Sequence, residues 1–174
     1  MIIAISGKAQ SGKDTIGACL VSQHGFIRVA SADALKRIAM RTFNWDGAKD
    51  ARGRKFLQDL ATAVRGYNPD FWIGITLQEI ERMRRPMVTG KAEDFVITDV
   101  RYKNEADLLK KEGAVLIRIE REGIELFDHE SETQLDDYED FDYMISNSSS
   151  IADLEERVTI ILSAIREKNE RFEA

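Results

Sequence analysis

The apolar positions change their spacing several times along the chain, and each change marks an element. Ile2 to Ile5 is an unbroken, β-branched apolar run, which predicts a buried strand. Residues 13–23 predict a helix that Gly25 ends, before a short strand from Phe26 to Ala30. Ser31 is placed to cap the next helix. Through 32–43, Leu35, Ile38, Ala39, Thr42 and Phe43 recur at helical spacing, leaving Asp33, Lys36, Arg37 and Arg41 on other faces. Residues 44–53 read as a loop by their turn residues. After them Phe56, Leu57, Leu60, Ala61 and Val64 form an apolar stripe, with Gln58, Thr62 and Arg65 on the other side. Asn68-Pro69 sets a further helix start, Asn as cap and Pro at the first helical position, leading into Phe71, Trp72, Ile75, Ile80 and Met83.

A polar loop from Pro86 to Glu93 then hands over to an apolar strand, Phe95 to Asp99, that ends in a carboxylate. Residues 103–112 predict a helix stopped by Gly113, and Val115 to Ile119 the next strand. The stretch 120–141 is acidic and has little periodicity. Phe141 to Ser146 reads as a last short strand, and Ile151, Leu154, Val158, Ile161, Leu162 and Ile165 define a closing helix with a charged, frayed tail from Arg166. Five short strands separated by helices predict an α/β fold: a parallel sheet covered on both faces, with ligands at the carboxyl ends of its strands. The helices of 32–85 form an insertion arching over that edge. No repeat, low-complexity tract or Pro/Gly linker divides the chain, so residues 1–174 are expected to be a single domain with its core at 1–31 and 94–174.

Composition narrows the function classes. Of 174 residues, 43% are hydrophobic and 32% charged, enough apolar material for a sizeable core. The net charge of −6 disfavours non-specific binding to nucleic acid or anionic membranes, so any positive potential must be local. A single cysteine, Cys19, excludes an intramolecular disulfide and a cysteine metal cluster, and it sits among apolar helix positions as a small buried residue. Neither a secretory leader nor an eighteen-residue apolar run is present, so a cytoplasmic protein is expected.

The chemistry begins where the first strand ends. Gly7, Gly12 and Lys13 follow it at the spacing G-x-x-x-x-G-K of a phosphate-binding P-loop, and a helix comes next, as that motif requires. Glycines let successive N–H groups approach phosphate oxygens at the helix N-terminus, with Lys8, Ser11 and Lys13 beside them and Lys13 as a point charge. Asp14 stands where a Ser or Thr usually coordinates Mg²⁺. The metal is therefore assigned to Asp14, to Thr15 or to an intervening water. The bland alternative is a glycine-rich turn that binds nothing. Asp99, at a strand end, is placed to hold the magnesium shell or its water, and equally to cap the helix that follows. Val100, not a water-activating glutamate, comes next, which favours transfer to an acceptor over hydrolysis.

With these residues in place the chain resembles the P-loop nucleoside monophosphate kinases. It is closest to the bacteriophage deoxynucleoside monophosphate kinases and their phosphomevalonate-kinase-like relatives. Four stretches carry the resemblance: Gly7 to Thr15 with its Lys-Asp pair, Ala32-Asp-Ala-Leu-Lys36, Arg54 to Arg65 followed by Pro69, Asp70 and Trp72, and Thr98 to Glu105. Arg121, His129-Glu-Ser-Glu132 and Asn147 continue it. The resemblance implies a three-layer α/β/α P-loop NTPase fold with a five-stranded parallel sheet, a helical acceptor-binding insertion at 32–85 and a short lid at about 120–135.

It further implies an ATP- and Mg²⁺-dependent kinase that transfers the γ-phosphoryl group to a (deoxy)nucleoside monophosphate, giving the diphosphate and ADP. Lys13 would bridge the β- and γ-phosphates, and Arg101 would reach the transferring group or the acceptor phosphate. The plainer reading of Arg101 is a surface arginine pairing with Glu105 one turn on. Arg65 would grip the acceptor's phosphate, with Gln58 and Trp72 near its base or sugar, although Trp72 also fits as core. Asp33 and Lys36 are either acceptor contacts or an exposed ion pair. Arg121 and His129 fall in the lid, where an arginine would close onto the phosphates. His24 is structural, and Asn147 would contact adenine or serve its turn. The acidic run Asp136 to Asp142 reads as a solvated connection. The partners implied are small-molecule nucleotides, with no nucleic acid and no membrane, for a monomer or homodimer. Kinases of another phosphorylated small molecule, such as phosphomevalonate, are the runner-up. A nucleotide-dependent switch is disfavoured because no Asn-Lys-x-Asp follows a later strand.

Overall fold

The computed structural model describes residues 1–84, 93–124 and 130–173. The predicted loop from Pro86 to Glu93 therefore lies largely outside the described residues, as does His129. In chain order the elements are β1 (Ile2–Gly7), α1 (Lys13–His24), β2 (Ile27–Val29), α2 (Ser31–Phe43), α3 (Ala51–Tyr67), α4 (Phe71–Arg84), β3 (Phe95–Val100), α5 (Lys103–Lys111), β4 (Val115–Glu120), β5 (Tyr143–Ser146) and α6 (Ile151–Glu173). A 3₁₀ turn covers Glu130–Glu132.

The five strands form one sheet in the order β2-β3-β1-β4-β5, every neighbouring pair parallel. This is the expected α/β/α layering. β1 lies at the centre and is buried along its whole length, which is why its sequence is apolar on both faces rather than alternating. Ile2 and Ala4 point into one core with Phe95, Ile97 and Leu116, where Ile73 and Ile80 of α4 and Leu109 of α5 cover them. Ile3 and Ile5 point into the other, against Ile16 and Leu20 of α1 and Leu154, Val158, Leu162 and Ile165 of α6. Cys19 is buried, and His24, at the end of α1, meets Thr159 of α6 at 3.3 Å, so both serve packing.

Several boundaries differ from the sequence pattern, each for a physical reason. The 44–53 loop is shorter because Asp50 caps α3, accepting the Gly53 N–H at 2.7 Å. Asn68 accepts from the Asp70 N–H at 3.1 Å in a turn that delays α4 to Phe71, past Pro69. The tail expected to fray from Arg166 continues as helix to Glu173, since its Glu, Lys and Arg are good helix formers. Ser31 is the first residue of α2 and does not cap it; an acid from another strand does. The acidic residues from Asp136 to Asp142 are exposed, as a solvated connection should be, but two of them also anchor the segment. Asp142 accepts the Leu116 N–H at 2.8 Å and pairs with Lys110, and Asp136 meets Arg118 at 2.7 Å and Lys8 at 3.0 Å.

Candidate functional site

β1 ends at Gly7, and the chain turns through residues 8–12 before α1 begins, so main-chain N–H groups gather at a helix N-terminus at the carboxyl edge of the sheet. Two positions in this turn depend on glycine. A Cβ on Gly7 would lie 2.5 Å from Ser11 Oγ and 2.7 Å from the Ile119 carbonyl oxygen. Gly12 has φ of +105°, and a Cβ there would lie 2.5 Å from Asn147 Nδ2. Gln10 is also left-handed, with φ of 63°, a costly conformation for a side-chain-bearing residue that marks a loop held in shape from outside.

Part of that hold is Asn147. Its Nδ2 donates to the Ser11 carbonyl at 2.9 Å, so its amide braces the P-loop from just beyond β5. Lys13 is 7% exposed and its Nζ folds back to the Lys8 carbonyl at 3.1 Å. Burial lowers its pKa, and the Arg101 guanidinium lowers it further against the opposite pull of Asp14, Glu132 and Asp99. Ser11 Oγ is buried with no hydrogen-bond partner, a standing cost that a bound anion would relieve. Asp14 is exposed and Thr15 half-buried on the first turn of α1.

Asp99 sits near the end of β3, and its carboxylate accepts the N–H groups of Ser31 at 3.2 Å and Ala32 at 2.8 Å. It therefore caps α2 from the neighbouring strand, not α5, the helix that follows it. Burial raises its pKa, opposed by those two amides. The N-terminus of α5 is served by Glu105, whose Oε2 accepts from the Arg101 N–H at 2.9 Å and the Tyr102 N–H at 3.2 Å. Glu105 is 2% exposed, and burial raises its pKa as well.

The Arg101 side chain does not pair with Glu105. Its Nη1 donates to Glu132 Oε1 at 2.9 Å, and Glu132 Oε2 in turn accepts the Ala9 N–H of the P-loop at 2.7 Å. Glu105 pairs instead with Arg65, at 3.6 Å. The Arg65 guanidinium lies over the Tyr102 ring, 4.1 Å from its centroid, and its Nε is buried without a partner. Burial pushes the Tyr102 phenol up to about 12.

A cavity of about 250 Å³ opens between α2, α3, α4 and the ends of β3 and α5. Leu35, Leu57, Ala61 and Trp72 line it beside Gln58, and Arg65, Asp99 and Arg101 supply its charged end. Trp72 is 1% exposed and its Nε1 donates to the Ala61 carbonyl at 3.2 Å, so it is core and cavity wall at once. A second hollow, of about 310 Å³, lies on the other side of the P-loop, bordered by Lys8, Ser11, Arg118 and Arg121. Arg121 Nη1 reaches the Gln10 carbonyl at 3.5 Å. Asp33 is not brought to either space: it pairs with Arg28 at 2.8 Å and Lys36 at 3.2 Å and borders a smaller hollow by α4.

Sequence reasoning placed Glu132 in a family-like stretch without a role and Glu105 only as a partner for Arg101, and Arg118 and Asp136 were not singled out for the site. No periodicity signals such residues, because each is defined by a partner distant in the chain. The one available signal was charge at otherwise apolar positions: Arg118 lies inside the strand Val115–Glu120 and is 6% exposed.

The comparisons agree in kind. The family model described as deoxynucleotide monophosphate kinase matches residues 49–158. A protein of Acanthamoeba polyphaga mimivirus with a provisional deoxynucleotide monophosphate kinase name is 29% identical over 191 residues, covering 95% of this chain and 96% of that one. The uncharacterized protein ORF77 of Ictalurid herpesvirus 1 (strain Auburn) is 34% identical, covering 92% of this chain and 69% of its own length. Among solved structures, a gluconokinase from Sinorhizobium meliloti 1021 superposes with a TM-score of 0.55 at 16% identity, covering 99% of this chain and 96% of that one. A sugar kinase from Janibacter sp. HTCC2649 does so with 0.53 at 16%, covering 93% and 94%. At that identity the likeness is one of fold.

Proposed function

Since the chain belongs to the deoxynucleotide monophosphate kinase family, we infer that its cleft transfers the γ-phosphoryl group of ATP to a (deoxy)nucleoside monophosphate, with Mg²⁺, giving the diphosphate and ADP. The observation that carries this reading is the placement of Arg101. It lines the cavity that holds Arg65 and Gln58, and through Glu132 it is tied to the P-loop main chain. One guanidinium thus borders both an anion cradle and a separate cavity with its own arginine. That is what in-line transfer between two bound phosphates requires.

The residues fit the groups they would hold. The P-loop excludes a Cβ at Gly7 and Gly12, and the Ser11 hydroxyl and Arg65 Nε are buried donors without partners. Lys8, Lys13 and Arg121 would hold the donor's phosphates, with Asn147 keeping the loop in shape and reaching adenine. Asp14, Thr15 and Asp99 would hold Mg²⁺, which supplies charge neutralisation when bound. No set of three or more His, Cys, Asp or Glu among the described residues is arranged to bind a metal, and a kinase site does not need one, because the substrate phosphates complete the Mg²⁺ shell. Arg65 would take the acceptor phosphate, with Gln58 and Trp72 at its base or sugar; Asp33 and Lys36, paired with each other away from that cavity, are left out of the acceptor site.

The domain is organised around a core at 1–31 and 94–174 to which α4 adds Ile73 and Ile80, with the acceptor-binding helices in 32–85; of the lid expected at about 120–135, residues 125–129 fall outside the described residues and Glu132 and Leu135 are buried in the wall. No described helix is long and apolar enough to cross a membrane. The protein acts on small molecules in the cytoplasm, as a monomer or homodimer. Coupled ADP release across the deoxynucleoside monophosphates, with phosphomevalonate and a no-acceptor control, tests the reading. Acceptor-dependent release with at least one monophosphate is expected; release only with phosphomevalonate, or without any acceptor, would refute it.

A further inference from the structure

A carboxylate stands where this site is otherwise built for phosphate. The P-loop N–H of Ala9 is one of the main-chain donors gathered ahead of α1, and it donates to Glu132 Oε2 at 2.7 Å, while Oε1 of the same group takes Arg101 at 2.9 Å. Glu132 is only 8% exposed. A buried acid is kept only where its partners repay the loss of water, and here the partners are a charge and an amide on two different elements.

Its own segment is built to hold it there. Tyr102 Oη donates to Glu130 at 3.2 Å, Leu135 is buried in the core at 3% exposure, and Asp136 binds both Arg118 and Lys8. Glu132 is thus fastened on both sides in sequence, so its place is a fixed feature of the cleft wall. The bond to Arg101 uses one nitrogen of a guanidinium that carries five N–H donors, so the group can still donate elsewhere.

We propose that Glu132 is a positioning residue for phosphoryl transfer: one oxygen seats the Arg101 guanidinium between the two substrate spaces, and the other fixes the Ala9 peptide of the P-loop. The proposal rests on the kinase reading for its kinetic consequence, but not for the contact itself. Without Glu132, Arg101 loses its ion pair while the Lys13 charge is left to repel it. The cost then falls on the transition state, where Arg101 must be in register with the moving charge, more than on nucleotide binding.

Two measurements decide it. In Glu132→Ala, kcat should fall about 10- to 100-fold with the KM for ATP changed less than about 3-fold, and Glu132→Gln, which keeps an acceptor oxygen, should recover part of that loss. In an Arg101→Ala background, Glu132→Ala should cost clearly less than in the unaltered protein, since the arginine it positions is gone and only the Ala9 contact is left to lose. Unchanged kcat, fully additive losses, or an ATP KM that drops because a resident anion has been removed would each overturn the proposal. Amide NMR of ¹⁵N-labelled protein reads the contact without turnover: the Ala9 signal should shift strongly in both variants, and an unmoved signal would also overturn it. Absence of acceptor-dependent ADP release in the unaltered protein would instead defeat the kinase reading, leaving the NMR test to judge Glu132.

Discussion

The proposed donor side of this cleft ends in a buried lysine and the proposed acceptor side in two half-buried arginines, and they are built by opposite means. The P-loop is main chain: its donors are peptide N–H groups, shaped by glycines that admit no Cβ and braced by Asn147 and Glu132. The acceptor cavity is side chain: Gln58 and Arg65 from α3, Trp72 from α4, Arg101 from the end of β3, each from an element placed by packing alone. The two arginines show the contrast. Arg101 has a close partner at 2.9 Å, whereas Arg65 has Glu105 at 3.6 Å, an aromatic face and an unpaired Nε. A cradle of amides recognises any phosphate and needs little adjustment. On the proposed reading, a loosely held arginine over an apolar wall would exchange partners when a particular acceptor arrives, which would put selectivity on the second side.

The largest expected effect breaks the donor side. Lys13→Ala should lower kcat by about 10²- to 10³-fold, because it removes charge aimed at the transferring group, and steady-state ADP release reads it directly. Near-normal turnover would show that the P-loop is a turn and nothing more. Arg65→Ala is the matching break on the acceptor side: KM for the monophosphate should rise about 10- to 100-fold, the worth of a charged hydrogen bond. ATP affinity by titration calorimetry should stay unchanged. If both nucleotides weaken together, the two sides are not separate.

A subtler test sharpens the donor side. Burial and then the Arg101 charge hold Lys13 below the usual lysine pKa of 10.5 in the free protein. As pH rises, Lys13 loses its proton earlier than a free lysine would, so nucleotide binding should begin to weaken below pH 10.5. Arg101→Gln removes one of the two depressing causes, and the onset should move upward, as fluorescence titration across pH would show. An onset unmoved by Arg101→Gln would place the two cations too far apart to couple. The smallest effect is expected on the outer face of α3, where Lys55 and Asp59 pair at 2.9 Å with both side chains mostly exposed. Asp59→Ala should cost no more than about 0.5 kcal/mol by denaturant titration and leave both KM values alone.

How much of this was legible beforehand follows the same division. The P-loop could be read because its chemistry is local: a strand, two glycines at fixed spacing and a helix suffice to gather amides, whatever the rest of the chain does. α3 and α4 could be read from their stripes. What escaped was every contact that joins distant positions. The plainer reading of Arg101 pairs it with Glu105, four residues on, because helical spacing is the only neighbourhood a sequence displays; the fold pairs it with Glu132 and gives Glu105 to Arg65. Asp99 reads as a holder of the magnesium shell or as a cap for the helix beside it in sequence; as a cap it serves α2, 67 residues away at Ala32.

By itself, then, the amino-acid order determined the strands and helices, the parallel α/β layering and the phosphate-binding loop, since hydrophobic period and glycine spacing act over a few residues. Only the tertiary structure decided which acid faces which cation. Those pairings arise where β1, β3 and the 130–136 segment converge at one sheet edge, and electrostatic partners there are chosen by distance in space, to which distance along the chain gives no guide.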